Sequence, residues 1–263
     1  VSVDGKELIY VVGGTEHMRT LALTLPAGFL FDPEVEEIVW WPSKDSQTPY
    51  FNKYQPYVAP FSDGSILSVS ANYKPQGAAW LIPNEDSASA EIFDPISKTY
   101  THRQATIGQP FGGFAGAEVP LQGHLLCGGG VYNGSTGELI PSTSCKLIEP
   151  GLTRTTWKAL PPPPDGGTGF AFHAMVQLHD DSNSILLTGG VTKASDNSSS
   201  TPAVTSAWIL RNPDANANWE AIGNLTQARA GHAMVATPDG GAVVFGGADA
   251  MGPGYPLDFT SVS

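Results

Sequence analysis

Short runs rich in apolar residues and separated by turn residues follow one another in the second half of this chain. Four such runs lie close together, at 172–178, 185–188, 204–210 and 219–222. The second run ends on Gly189-Gly190, and Asn212-Pro213 separates the third from the fourth. Short apolar runs bounded by turn residues predict strands, and runs joined by such turns predict antiparallel pairing. The segment therefore predicts four antiparallel strands.

The same arrangement returns about every sixty residues along the chain. The second run of each unit closes on two small residues, at Gly13-Gly14, Ser70-Ala71, Gly128-Gly129, Gly189-Gly190 and Gly246-Gly247. An aromatic residue of a predicted outer strand keeps the spacing, at Trp41, Tyr100, Trp157 and Trp219. An acidic or amide residue followed by proline does so too, at 32–33, 94–95, 149–150 and 212–213. Three features in phase indicate repeated supersecondary units.

Four-stranded antiparallel units repeated in this way predict an all-β fold, a β-propeller of about five blades within a single domain. We place the blades at about 1–50, 51–108, 109–166, 167–227 and 228–263. Three of them contain all four predicted strands and two are partial. Because a ring of blades leaves no open sheet edges, we expect sequence to be missing at both ends, with closure by another chain as the alternative.

Composition narrows the function classes. The 263 residues include 30 Gly and 22 Pro, which suits many short strands joined by turns, and 41% are hydrophobic, which is enough for a core. The 13 Lys and Arg against 25 Asp and Glu give a net charge of −12, so the chain lacks the basic surface that nucleic acids require. No apolar run reaches the length of a membrane-spanning helix.

Sequons and cysteines both indicate an extracellular protein. Asn133, Asn197 and Asn224 each begin an N-glycosylation acceptor sequence, and the repeat places all three in exposed loops. Cys127 ends one predicted strand and Cys145 begins the next, so a hairpin would bring them together as a disulfide. The alternative is a pair of buried free thiols. We predict a secreted, disulfide-bonded glycoprotein at the cell surface or outside the cell.

The blade pattern resembles kelch repeats, and several segments resemble the galactose and glyoxal oxidases more closely. The residues that carry this resemblance are Tyr54-Gln55-Pro56-Tyr57-Val58 with 61–67, Leu125 to Gly129 with 144–147, and the Trp157 segment 157–161. The similarity covers most of residues 5–250. That family is a seven-bladed propeller, which would explain why about five blades look unfinished.

The resemblance also implies a chemistry that can be checked residue by residue. In that family two histidines and two tyrosines hold copper, and one tyrosine, cross-linked to a cysteine, stores an electron hole. His232 matches a copper histidine of the family, while Gly231 stands where the family has tyrosine. The other ligands would lie outside this sequence. His173 occupies the same position as His232 one blade earlier, which favours a structural role for both, and His17, His102, His124 and His179 are predicted to be surface residues.

Three functions remain open at this stage. The preferred hypothesis is a non-enzymatic secreted propeller that acts as a structural, adhesion or assembly module of an extracellular matrix, wall or surface appendage, without a cofactor. Its partners would be other extracellular proteins or glycans, or further copies of itself. The first alternative is a copper-radical oxidase that converts alcohols or aldehydes with O2 and releases H2O2. The second is a carbohydrate-binding propeller that uses aromatic residues such as Tyr73, Trp80 or Tyr132.

Overall fold

The computed structural model describes thirteen stretches of the chain, namely residues 2–3, 5–12, 15–18, 21–24, 28–40, 54–73, 83–104, 112–132, 139–149, 157–164, 168–192, 201–213 and 218–251. These stretches contain strands and turns and no helix, so nothing in them could cross a membrane as a helix. The prediction of an all-β fold is confirmed.

The strands are short, as the spacing of the turn residues predicts. They are β1 (Ser2–Val3), β2 (Lys6–Glu7), β3 (Ile9–Val12), β4 (Thr15–Met18), β5 (Leu21–Thr24), β6 (Gly28–Asp32), β7 (Glu37–Trp40), β8 (Tyr54–Pro60), β9 (Ile66–Tyr73), β10 (Pro83–Asp94), β11 (Thr99–Gln104), β12 (Gly112–Val119), β13 (Gly123–Tyr132), β14 (Leu139–Pro141), β15 (Cys145–Ile148), β16 (Trp157–Leu160), β17 (Ala174–Gln177), β18 (Ile185–Thr188), β19 (Thr201–Pro202), β20 (Ser206–Leu210), β21 (Trp219–Asn224), β22 (Ala233–Ala236), β23 (Ala242–Phe245) and β24 (Ala250–Met251).

Antiparallel pairing groups these strands into blades. Blade 1 contains β3, β6 and β7, blade 2 contains β8 to β11, blade 3 contains β12, β13, β15 and β16, blade 4 contains β17, β18, β20 and β21, and blade 5 contains the hairpin β22–β23. Strands β1 and β2, β4 and β5, and β19 and β24 form short separate pairs, and β14 pairs with β13. The four-stranded antiparallel sheets of blades 2, 3 and 4 are those of a β-propeller.

The chain divides into two compact units, Val1–Gly108 with Thr153–Thr155, and Gln109–Leu152 with Thr156–Ser263. In the first unit the core is aromatic. The Tyr10 ring stacks on Phe93 with centroids 4.7 Å apart, and Trp40 and Tyr100 lie 5.0 and 5.1 Å from the same ring. Tyr100 is the predicted aromatic residue of an outer strand. In blade 1 that place belongs to Trp40, which is buried on β7, whereas the predicted Trp41 lies outside the described residues.

The turns before the last strand of blades 1 and 2, between β6 and β7 and between β10 and β11, show why an acidic residue precedes proline there. Asp32 accepts a hydrogen bond from the Glu34 amide, and Asp94 accepts one from the Ile96 amide, at 3.0 and 2.9 Å. A carboxylate that bonds the backbone two residues further on mimics a backbone turn, and proline pre-sets the angle that this turn needs. The sequence signal is therefore a local hydrogen bond.

In the second unit the core lies between blades 3 and 4. Its fully buried members are Leu125, Leu147, Ile185, Leu187 and Leu210. Burial of such a side chain contributes about 1.5–3 kcal/mol relative to exposure. Trp219 on the outer strand of blade 4 also packs into this core, and its indole Nε1 donates to the Pro161 carbonyl oxygen at 3.0 Å. The outer tryptophan thus fills the space between two blades.

Candidate functional site

The corner at Gly189-Gly190 joins blade 4 to blade 5. Both glycines have positive φ, 59° and 89°, which only glycine adopts readily. The Gly189 amide donates to Ser206 of the same blade at 2.8 Å, and the Gly190 amide donates to the Arg229 carbonyl oxygen of the next blade at 2.7 Å. A Cβ on Gly189 would overlap that carbonyl oxygen and lie 2.8 Å from Cε1 of His232. Glycine is required here because the next blade approaches so closely.

His232 lies in this joint between blades. Its side chain is buried, and Nε2 shares a hydrogen bond of 2.9 Å with Oγ1 of Thr188, the last residue of β18. The Thr188 hydroxyl also lies 3.6 Å from Sδ of Met234. Burial lowers the pKa of His232 to about 4, and the charge of Arg229 acts in the same direction. The imidazole is therefore neutral at physiological pH.

His173 occupies the same place in the joint between blades 3 and 4. A Cβ on Gly128 would overlap the Phe170 carbonyl oxygen and lie 2.6 Å from Cε1 of His173. The imidazole contacts the Phe170 ring edge-on, with centroids 4.8 Å apart. Burial, together with the nearby His232, lowers the pKa of His173 to about 3, and the Cys127 carbonyl offsets this only in part. Neither ring nitrogen has a hydrogen bond of good geometry within the described stretches.

The two joints differ in the residue before the glycine pair, which is Thr188 in blade 4 and Cys127 in blade 3. Cys127 forms a disulfide with Cys145, its cross-strand neighbour on β15, with the Cα atoms 4.1 Å apart. The predicted disulfide is therefore present, and both of its residues are buried. Because the Cys127 sulfur is bonded to Cys145, it carries no hydrogen, and His173 has no counterpart of the Thr188 hydroxyl. A disulfide fits an oxidising compartment.

The residue before each histidine has a left-handed backbone. Gly231 has φ 64° and Phe172 has φ 56°. Their amides connect three blades in series, since the Gly231 amide donates to Phe172 at 2.7 Å and the Phe172 amide donates to Gly113 at 2.5 Å. A bulky residue is rare at positive φ, yet Phe172 occupies the position with its ring against Gly113. Gly231, where the resemblance would have tyrosine, therefore occupies a position whose backbone accommodates an aromatic residue one blade earlier.

Among the described residues, His232 is the one that the resemblance matches to the copper site. Its imidazole Nε2 shares a hydrogen bond with Thr188, whose hydroxyl lies 3.6 Å from Met234 Sδ, and Gly231 offers no side chain. Within the described ranges no three His, Cys, Asp or Glu side chains come together as metal ligands. One imidazole that is already hydrogen-bonded does not supply the several convergent donors that copper needs.

Sequence reasoning missed the partner of His232. Thr188 carries a signal that could have found it, because it stands in the same place before a glycine pair as Cys127. Sequence reasoning was also wrong about His124, which is 2% exposed rather than on the surface. This residue lies on β13, which is covered on both edges by β12 and β15. His179 is exposed as predicted, and the side chains of His17 and His102 lie outside the described part of the molecule.

The other predicted site residues are only partly described. Asn224 is exposed at the end of β21, where a glycan would meet solvent. Asn133 and Asn197 lie outside the described residues, as do Trp80 and the side chains of Tyr73 and Tyr132. Glycosylation and the aromatic sugar-binding hypothesis therefore stay predictions.

Comparison with known proteins defines the class of fold and no closer relationship. No family model and no curated protein matches the chain. By contrast, 105 chains of solved structures match its fold. One of them, described as the structure of YjhT, aligns with a TM-score of 0.67 over 96% of this chain and 77% of its own, at 14% sequence identity. This protein thus has a β-propeller fold, and at such low identity the likeness concerns the fold alone.

Proposed function

We propose that this protein is a secreted, non-enzymatic propeller glycoprotein that acts as a structural, adhesion or assembly module of an extracellular matrix, wall or surface appendage. We further propose that its blades are of the kelch and galactose oxidase type, without the radical tyrosine. Its partners in this role are other extracellular proteins, glycans or further copies of the chain.

One observation carries the proposal. His232, which the resemblance matches to a copper ligand, already takes part in packing blade 5 against blade 4 through Thr188 and Gly189. The same arrangement of histidine on glycine recurs at His173 and Gly128, one blade earlier. A residue repeated in every described joint of this unit supports a role in holding blades together, because a catalytic ligand set is not expected to repeat with the fold.

Two features support the extracellular part of the proposal. The Cys127–Cys145 disulfide is of a kind that persists in oxidising compartments. Asn224, within its acceptor sequence, is exposed to solvent. The net charge of −12 keeps such a surface soluble and argues against anionic partners such as nucleic acids.

The test measures copper retention and peroxide release from the protein isolated at its natural length. After loading with copper and dialysis, it is offered simple aldehydes and primary alcohols. His232→Ala removes the imidazole, and Thr188→Val is the matched control that removes only the hydroxyl partner. We expect no peroxide and no retained copper in any form, with both variants less stable than the parent because both disturb the same joint.

The competing oxidase makes a different prediction. Stoichiometric copper with peroxide release that His232→Ala abolishes and Thr188→Val retains would overturn the proposal. It would also assign His232 to the metal. If the histidine were purely structural, both substitutions would act through stability alone and would not differ in peroxide release.

A further inference from the structure

A cavity of about 220 Å³ opens in the second unit where three turns of blades 3 and 4 meet. The turns are those between β12 and β13, between β17 and β18, and between β20 and β21. Its polar lining consists of Gln122, Ser182, Asn183 and Asn212. The apolar residues that line it are Val119, Pro120 and Pro213.

Two of the amides are held in place by hydrogen bonds that leave their other groups available. The Gln122 side-chain Nε2 donates to the Pro213 carbonyl oxygen at 3.2 Å, which ties blade 3 to blade 4 and leaves Oε1 as an acceptor. The Asn183 Oδ1 accepts from Gln177 Nε2 at 3.1 Å, which leaves its NH2 group as a donor. The cavity therefore offers an oriented acceptor and an oriented donor.

The backbone at the cavity has unusual angles. Six non-glycine residues of the described stretches have positive φ, and three of them are Leu121 at 64°, Asn183 at 47° and Asn212 at 46°. All three line the cavity or sit between residues that line it. Leu121 is 97% exposed, so burial of its side chain does not offset the cost of its positive φ. Positive φ of this kind occurs in tight turns as well as at ligand sites.

Comparison between blades shows that the turn itself does not need the Asn183 side chain. The Asn183 amide bonds the residue three positions earlier, and Gly64 in blade 2 and Gly240 in blade 5 make the same turn. Their φ values are 85° and 82°. Glycine thus serves at the equivalent positions, and blade 4 instead carries an amide that reaches the cavity.

The lining selects a class of ligand. Among the described residues that line it there is no charged side chain, and Arg211, in the turn between β20 and β21, is paired with Glu220 at 3.3 Å. Amides and a hydroxyl that both donate and accept suit vicinal hydroxyl groups, and proline rings suit a C–H face. Drug-sized ligands occupy about 300–1,000 Å³, so the cavity accepts a smaller molecule. We propose that it binds a single ring of a neutral saccharide.

This inference is independent of the proposed function, because a scaffold protein and an oxidase could both carry such a site. The test is an NMR titration of the 15N-labelled protein with the methyl glycosides of glucose, galactose, mannose and N-acetylglucosamine, and with glucuronate as a charged comparison. We expect saturable shifts of the Gln122, Asn183 and Asn212 side-chain amide signals with at least one neutral glycoside and none with glucuronate.

Asn183→Gly is the deciding variant, because glycine preserves the turn and removes only the amide. We expect it to weaken binding at least tenfold while leaving the melting temperature unchanged or higher. Asn224→Gln, an amide change on an exposed strand end away from the cavity, is the control and should bind as the parent does. The inference is wrong if no neutral glycoside shifts these signals at 50-fold or greater excess over protein, if glucuronate binds as well, or if Asn183→Gly binds unchanged.

Discussion

His232 and His173 lie at the same place in consecutive joints, and one neighbouring residue makes their surroundings different. His232 meets the Thr188 hydroxyl, whereas His173 meets Cys127, whose sulfur is bonded to Cys145. Buried polar groups are normally hydrogen-bonded, and one left without a partner lowers stability by about 1–3 kcal/mol. In blade 3 the disulfide occupies the place where Thr188 of blade 4 makes its hydrogen bond to His232.

A threonine at position 127 should give His173 the hydrogen bond that Thr188 gives His232. We compare Cys127→Thr with Cys127→Val, each combined with Cys145→Ala so that both variants lose the disulfide equally. The threonine variant should be more stable by about 1 kcal/mol, the worth of one hydrogen bond between neutral groups. Urea unfolding measures the difference. Equal stabilities would mean that no hydroxyl at this position reaches the imidazole.

The two buried histidines also predict a pH dependence of stability. Their pKa values in the folded protein, about 3 and about 4, lie below the ordinary value of 6.5. Between pH 6.5 and 4 the unfolded chain therefore binds more protons than the folded one, so stability is full above pH 6.5 and falls as the pH decreases. The loss is about 1.4 kcal/mol per pH unit for each histidine in this range.

Urea unfolding at pH 7.5, 6 and 5 measures this slope, and His232→Asn should reduce it by about half because one of the two groups is removed. A slope that is unchanged in the variant, or a stability that does not fall between pH 6.5 and 5, would contradict the assignment of the buried neutral state.

At the scale of secondary-structure elements, the glycine pairs act as joints between blades as well as turns within them. The amide of the first glycine donates to its own blade, and the amide of the second donates to the following blade. The histidine of the following blade packs on the first glycine. Blades 3 and 4 both show this set of contacts. The repeat in the sequence is therefore a repeat of interfaces.

Two glycines of the same type separate the effect of backbone angle from that of close packing. Gly189 and Gly246 both begin a glycine pair and have similar φ, 59° and 72°, but no described residue lies within 4 Å of a Cβ at Gly246. Both alanine variants should share the strain of a left-handed residue, about 1–2 kcal/mol. Gly189→Ala should lose about 1–3 kcal/mol more, because its Cβ meets the Arg229 carbonyl. Thermal or urea unfolding compares them, and equal losses would show that the joint can open at little cost.

At the scale of the whole molecule, the extracellular location is a proposal that glycosylation can test. Asn224 is the predicted glycosylation site whose surroundings the structure describes, and its exposure leaves room for a glycan. Secretion from a eukaryotic host should therefore attach a glycan there.

Asn224→Gln should remove one glycan without affecting the fold, since an exposed substitution usually changes stability by less than about 0.5 kcal/mol. Intact mass before and after enzymatic deglycosylation measures it. Asn212→Gln, which lies outside any acceptor sequence, should keep the mass loss of the parent. Identical mass losses in the parent and in Asn224→Gln would show that this site is not used.

Much of the fold follows from the sequence. The apolar run at 185–188, the Asp-Pro turns and the spacing of Tyr100 and Trp219 are local signals, and each is found in the strand or turn it predicts. The predicted pairing of Cys127 with Cys145 rests on a hairpin, and a hairpin brings together residues that are close in sequence. His124 was misplaced because the polarity of a single side chain says little about which strands cover it.

The chain by itself determined its repeats, its strands and their turns, because those depend on backbone preferences and hydrogen bonds that act over a few residues. Only the tertiary structure decided what each buried group meets. His232 and Thr188 are 44 residues apart, and the cavity takes its lining from three separate turns. Such contacts arise from how one sheet packs on the next, which fixes side chains far apart in sequence and leaves no periodic mark along it.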